Sequence, residues 1–363
     1  MNYPSLCFDH LKRLTDDTGL LQHALWTTPD PNHGYTLDDN ARALVVALRG
    51  HEQTGCRDLL ELARRYLGFM LYSQRDDGNF RNFAGYDRRW LEDSGSQDSI
   101  GRALWALGYC LHHAPEAGMR DTAMWMFDRA KVHITGLTSP RAVAAAILGC
   151  DEAISADRNA GLMLRVMDQS ASYLLSLYEQ VARGDWQWYE ESVTYGNATL
   201  SQAMLTAGAV TGEKKYHDVG VRSLEFLIAK LFLKQVPGDS TNVLPPMSME
   251  TVPIYLDLIG QAGWLLHGGP RAEFDQQPID AVCMVEALLV AERTCNEPRF
   301  GELAVTALDW FYGKNRLCLP LYDQSSGGCF DALIADGVNR NQGAESTLAH
   351  LSARLVIGAD DQR

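Results

Sequence analysis

The stretch WLEDSGSQDSIGRALWALG, residues 90–108, decides how this chain folds. Trp90 opens it, a polar loop carrying Glu92, Asp93 and Asp98 follows, and it closes as an apolar helix. LDDNARALVVAL, residues 37–48, follows the same plan: carboxylate, small or polar residue, Arg-Ala-Leu, then an apolar helix. Further loop-to-helix junctions stand at Tyr195, Phe274 and Asn341. A chain that repeatedly aims polar loops at the starts of apolar helices builds a ring with a site at one end.

Helical periodicity dominates the rest. Two kinds of helix alternate. Amphipathic helices with a charged face are predicted at roughly 4–14, 57–72, 118–133, 160–181, 215–233 and 299–312. Helices rich in Ala, Gly and Leu and nearly free of Lys are predicted at roughly 39–48, 99–111, 141–154, 199–210, 279–291 and 345–355. A helix apolar on most sides needs burial on most sides. The pattern therefore predicts an all-α (α/α)6 barrel, or toroid, of six inner and six outer helices, forming one domain over residues 1–363. Inner-to-outer links are short and outer-to-inner links mostly long, so the long loops gather on one face, at the N-terminal ends of the inner helices. Long loops in a compact domain commonly carry function. Residues 234–278, with Pro237, Pro245, Pro246, Pro253 and Pro270 ahead of Pro278, are the candidate insertion or lid.

Of 363 residues, 46% are apolar, enough for a sizeable core, and the net charge of −14 argues against nucleic acid and anionic membrane as partners. No secretory segment or membrane-spanning run is visible, and the eight cysteines are scattered without a C-x-x-C pair, which points to a reduced, cytoplasmic setting.

Asp38, Asp39 and Asp98 stand at inner-helix starts, where free N–H groups and the helix dipole favour a charged carboxylate. They serve either as caps or as catalytic base and stabiliser in the barrel mouth. Glu92 and Asp93, beside Trp90, are the candidates for a proton donor, because apolar surroundings raise a carboxyl pKa. In the loop RGDWQWYEESVTYGNA, residues 183–198, Asp185, Trp186, Trp188, Glu190 and Tyr195 suggest a sugar platform, with at least one Trp expected to plug the core instead. Tyr35, Asp275, Gln276, Gln277, Asn341, Gln342 and Glu345 complete the candidate binding set, with Asp275 read as an N-cap. Arg42 and Arg102, inside inner helices, are expected to pair with the mouth carboxylates or to clamp a substrate anion. No Walker loop, G-x-G-x-x-G, G-x-S-x-G or H-E-x-x-H is present, and His112-His113 stands alone near a helix end, so neither a metal nor another cofactor is assigned.

At these junctions the sequence resembles the six-hairpin (α/α)6 glycosidase superfamily. DSIGRALWAL, from Asp98, is similar to the way unsaturated glucuronyl hydrolases begin an inner helix at a catalytic Asp. GYTLDDNARAL, GDWQWYE, FDQQPIDA and NQGAEST resemble a bacterial helical group found alone or attached to glycosyltransferases, often beside mannoside-processing genes. The resemblance implies hydrolysis of a short, mannose-containing oligosaccharide, with Asp98 and one of Asp38, Asp39 or Glu92 as the carboxyl pair, and a glycosyltransferase as candidate partner. Two rivals stand beside it. One is a sugar epimerase or isomerase, for which His33 and His267 are the candidate bases. The other is a glycan-binding module without catalysis.

Overall fold

The computed structural model describes residues 3–156, 160–234 and 254–360. Residues 235–253 of the candidate insertion, which include Pro237, Pro245, Pro246 and Pro253, lie outside the described residues. Twelve α-helices are present among those described: α1 (Asp9–Leu14), α2 (Leu37–Thr54), α3 (Arg57–Ser73), α4 (Gln97–His113), α5 (Ala117–Ala130), α6 (Pro140–Ser155), α7 (Ala160–Val181), α8 (Ala198–Thr211), α9 (Lys214–Leu231), α10 (Pro278–Cys295), α11 (Pro298–Asp309) and α12 (Ala344–Asp360). The even-numbered helices pack each on the next, and α12 packs back on α2, closing an inner ring. Each odd-numbered helix packs outside an inner partner, with α1 covering α12. The architecture is the (α/α)6 toroid expected from the sequence.

Small residues make the ring possible. A Cβ on Gly149 would lie 2.6 Å from the carbonyl oxygen of Leu104, and one on Gly101 would lie 2.5 Å from that of Ala142. Backbones of α4 and α6 therefore meet directly, a spacing that no larger side chain allows. The apolar faces of inner and outer helices merge into one extensive core, in which Trp188, Trp310, Tyr66 and Phe300 are buried completely.

Links from inner to outer helices are tight turns. Gly55 and Gly212 end α2 and α8 in the left-handed region (φ 66° and 75°), which glycine enters without a Cβ clash. The opposite face carries the long links, stitched together by two-stranded antiparallel ribbons. Tyr35–Thr36 pairs with Phe83–Ala84, Ser192–Val193 with Leu265–Leu266, and Ala332–Ile334 with Gly337–Asn339. These ribbons exceed the little β-structure expected near residues 185–190. The first helix is shorter than predicted because residues 3–8 are pinned as coil: Tyr3 donates to Asp309 at 2.8 Å and Arg354 donates to the Pro4 carbonyl at 3.0 Å. A 3-10 turn, Lys131–Gly136, fills the one short outer-to-inner link. All eight cysteines are free thiols, and no described helix is long and apolar enough to cross a membrane.

Candidate active site

The six inner helices point their N-termini at the long-loop face. There the second and third residues of the helices form a polar ring: Asp38 and Asp39 on α2, Asp98 on α4, Arg141 on α6, Asp280 on α10 and Glu345 on α12. Within it lies a cavity of about 470 Å³, large enough for a sugar unit or two. Asp38, Asp39, Arg42, Asp331, Glu345 and His23 are among its lining residues. Beneath Arg42 a smaller cavity of about 60 Å³ runs down the ring axis past Arg102 and Trp105.

Arg42 is the floor of the mouth. Its guanidinium reaches Asp39 Oδ1 at 3.1 Å and Glu345 Oε2 at 2.8 Å, tying α2 to α12. Asp39 also accepts the Thr36 hydroxyl at 2.6 Å, while Thr36 caps α2 by accepting the Asp39 N–H. Burial nevertheless pushes the Asp39 carboxyl up to about 6, against the pull of Arg42 and with the push of Glu345. The helix terminus alone would have favoured the charged form, so the sequence expectation for this residue is reversed by desolvation. Asp38 faces a different environment. Arg102 Nε donates to its Oδ1 at 3.2 Å, and Asn82 Nδ2 approaches its Oδ2 at 3.4 Å. Both arginines thus form the ion pairs anticipated.

Asp331 stands across the cavity on the Ala332–Ile334 ribbon. The Gly343 N–H and the Ser346 hydroxyl donate to its Oδ1 at 2.8 and 2.5 Å. Burial raises its pKa against those two hydrogen bonds. One oxygen is thereby fixed as an acceptor, and the other is left to carry a proton. His23, also on the wall, has its imidazole pKa lowered by burial and by His33, whose ring lies edge-on at 4.5 Å.

Several sequence candidates are placed elsewhere. Asp98 is in the first turn of α4, but it does not line the cavity: it accepts the Ser139 hydroxyl at 2.5 Å and the Tyr195 hydroxyl. Arg141 stacks over Tyr195 at 4.7 Å, so Asp98, Tyr195 and Arg141 form an adjoining rim. Glu92 accepts the N–H groups of Asn82 and Phe83 at 2.6 and 3.2 Å, which makes it a brace of the loop rather than a proton donor. Asp93 is exposed and outside the cavity. Trp90 packs on Tyr72 and Phe69 of α3. The aromatic loop turns inward: Trp186 and Trp188 are buried against Phe226, Glu190 is held by Arg141 at 3.0 Å, and Asp185 is exposed away from the cavity. Large rings here were worth more to the core than to the surface.

Tyr35 is buried with its hydroxyl on Asp16 at 2.5 Å. Gln276 is buried between Asp257 and Trp310, and Gln342 between Ser326 and Asp323. Asn341 accepts the Trp26 N–H at 3.0 Å. These amides tie loops together. Gln277, Asp275 and Glu345 do line the cavity. Asp275 is not the N-cap of α10: that position is Gln277, and Asp275 adopts φ 52° two residues earlier. His267 contacts Glu191 at 2.8 Å, remote from the cavity lining.

Three residues escaped the sequence reading. Asp280 is buried and accepts the Gly196 N–H at 2.7 Å; burial pushes its carboxyl up to about 7. Its register, third residue of an inner helix like Asp39, is the signal that would have found it. Asp331 and His23 lie in long loops, where no periodic pattern marks them.

Asp280 allows a pH prediction. Its folded-state pKa exceeds that of the unfolded chain, so its stabilising contribution is complete below about pH 4 and lost as pH rises through about 7. Histidines whose pKa burial lowers (His10 and His350, buried, and His23, half-buried) act oppositely between those limits. The difference between proteins isolates the carboxyl. Asp280→Asn should gain in urea midpoint relative to the parent between pH 5 and pH 8; a constant difference would count against a buried, proton-holding Asp280.

No protein-family model and no curated relative matches the chain. Solved structures do match it along nearly all its length. A sugar epimerase from a ruminal bacterium superposes with a TM-score of 0.70 at 11% identity, covering 98% of this chain and 97% of that one. D-mannose isomerase gives 0.70 at 13%, covering 99% and 100%. An inactive variant of the α-1,6-mannanase GH76A of Salegentibacter sp. HEL1_6, in complex with α-1,6-mannotetrose, gives 0.60 at 14%, covering 97% and 96%. The fold is theirs. The chain shares its (α/α)6 toroid with sugar epimerases, a sugar isomerase and glycoside hydrolases.

Proposed function

We propose that this chain is a glycoside hydrolase acting on a short, mannose-containing oligosaccharide in the mouth cavity. One observation carries the reading: two carboxyl groups on one cavity have opposite surroundings. Asp331 is half-buried with a raised pKa, and Asp38 is charge-paired with Arg102. A carboxyl in partly desolvated surroundings suits the acid, and a carboxylate held beside a guanidinium suits the base. Asp331 gives its proton to the glycosidic oxygen as the bond to the anomeric carbon breaks. Asp38 takes a proton from the attacking water, whose oxygen bonds to that carbon; phosphate replaces water in a phosphorolytic version. Asp39 holds Arg42 in place, and Gln277, Asp275 and Glu345 meet sugar hydroxyls. Asp98 and Arg102 act from the rim and the floor. A cytoplasmic setting and association with a glycosyltransferase belong to the same proposal and rest on the sequence reading.

Proton NMR of the protein with manno- and gluco-oligosaccharides in buffered D2O, with and without phosphate, tests this. A new anomeric signal is expected, and the first-formed anomer reports whether configuration is kept. Ligand broadening without any new signal would overturn it. Epimerisation or isomerisation is the second reading, favoured by His23: a pocket histidine kept neutral by burial can take a proton from carbon next to a carbonyl. Deuterium entering at C2 of a reducing sugar, without cleavage, would select it.

A further inference from the structure

The short-loop face, opposite the cavity, gathers the C-terminal ends of α2, α4 and α6. Three side chains there converge on one point. His112 Nδ1 lies 2.8 Å from Glu152 Oε2, and His113 Nε2 lies 3.3 Å from the same oxygen. The three ligand atoms all fall within 4.8 Å of one another. We propose that His112, His113 and Glu152 bind a late first-row divalent cation of the zinc class, clamping α4 to α6 on the face away from the cavity.

Ligand chemistry and spacing both fit. Two imidazoles and a carboxylate are the donors that zinc-class ions select over magnesium and calcium, which prefer oxygen alone. Ligand bonds of about 2.0 Å in a tetrahedral site separate neighbouring donors by roughly 3.3 Å. The His113 nitrogen already stands at that separation from the shared oxygen, and the His112 nitrogen needs to draw back by only about half an ångström to admit an ion.

The surroundings of His113 resemble a ligand already oriented. Its other nitrogen, Nδ1, stands 3.6 Å from Glu52 Oε2 on α2. At that separation the carboxylate is an ionic neighbour, not a hydrogen-bond partner, and its charge favours a cation on the far nitrogen. The ring is stacked on Tyr109 at 4.1 Å and 14°, and Arg49 lies over the far ring at 5.1 Å. His113 is thus held in plane with Nε2 aimed at Glu152. His112 and Glu152 remain partly open to solvent, which leaves room for a water as fourth ligand. The carbonyl ends of two helices add negative potential. The bland alternative is a hydrogen-bonded His-Glu cluster with no affinity for metal.

The test is titration of the metal-stripped full chain with Co2+ and then Zn2+, read by visible absorption and by thermal unfolding. Expected are d–d bands saturating at one equivalent, their loss on adding Zn2+, and a melting temperature raised by metal and returned by chelator. Glu152→Gln and the double variant His112→Ala/His113→Ala should abolish one-equivalent binding while keeping the helical circular dichroism. Glu52→Gln should weaken it. Absence of one-equivalent binding overturns the proposal. So does unchanged binding in the double variant, or a sulfur-to-cobalt charge-transfer band, which would place the ion on a cysteine. The readout is metal binding, so it stands or falls separately from turnover in the cavity.

Discussion

Asp331→Asn should lower turnover about 10²–10⁴-fold, the usual contribution of a positioned proton donor, while leaving substrate affinity and fold in place. Asparagine keeps the shape of the side chain. Its carbonyl oxygen can still accept from the Gly343 N–H and the Ser346 hydroxyl that fix Oδ1 in the parent protein. What it lacks is the proton on the free oxygen. The loss should therefore fall on kcat and spare KM, and should be smallest for substrates with good leaving groups, which need little protonation. A nitrophenyl glycoside compared with the natural linkage in the NMR assay measures this directly. Equal losses on both substrates, or a rate close to the parent's, would remove Asp331 from the acid role and return attention to Asp39 and to His23. The same substitution at Asp98 should reduce activity far less, because both of its oxygens are occupied by Ser139 and Tyr195 outside the cavity.

Arg42→Met should destabilise the protein by about 3 kcal/mol, toward the lower end of the range for removing one partner of a buried ion pair. The side chain of Arg42 is 11% exposed and that of Asp39 only 6%. Without the guanidinium, Asp39 and Glu345 oppose one another across the mouth with no cation between them. Glu345 is 43% exposed, so water absorbs part of its share and the penalty centres on Asp39. A total stability of roughly 5–15 kcal/mol makes that loss easy to see in urea unfolding. Two further readouts distinguish charge from lost packing. Asp39→Asn introduced beside Arg42→Met should restore most of the stability. The defect should also shrink at pH 5, where Asp39, already pushed up to about 6, can take a proton instead. A defect of equal size at pH 5 and pH 8, unrelieved by the second change, would mean that the methylene stem of Arg42 matters and its charge does not.

The ring was legible because it is written in repetition. Helix burial leaves a period, tight turns leave glycines, and alternating Lys-poor and charged-faced helices leave two compositions. Asp39, Arg42 and Glu345 were found on the same basis, since a fixed place in a repeating element fixes a place in the mouth. The aromatic loop misled for a physical reason. Trp186 and Trp188 alternate with polar residues as a binding surface would, yet that alternation also suits a loop that folds its rings under itself, and the core took both. Asp331 left no trace because its position depends on a ribbon and on the backbone of Gly343, contacts made between distant segments. Amide side chains failed similarly: Gln276 and Gln342 read as ligands for hydroxyls, but each found its partners inside the protein.

The sixth hairpin joins the first described helix to the last. Leu11 and Leu14 of α1 are wholly buried, His10 bonds the Gln342 carbonyl at 2.8 Å, and α12 also supplies Glu345 to Arg42 and Ser346 to Asp331. α1 therefore reaches its full packing only when α12, the last described helix, is in place. Until then the ring is an open horseshoe with an exposed seam, and its mouth lacks the wall that α12 supplies. Seam closure and assembly of the mouth are one event, so a chain cut short of α12 should expose an apolar seam and lose the cavity wall that Glu345 and Ser346 build.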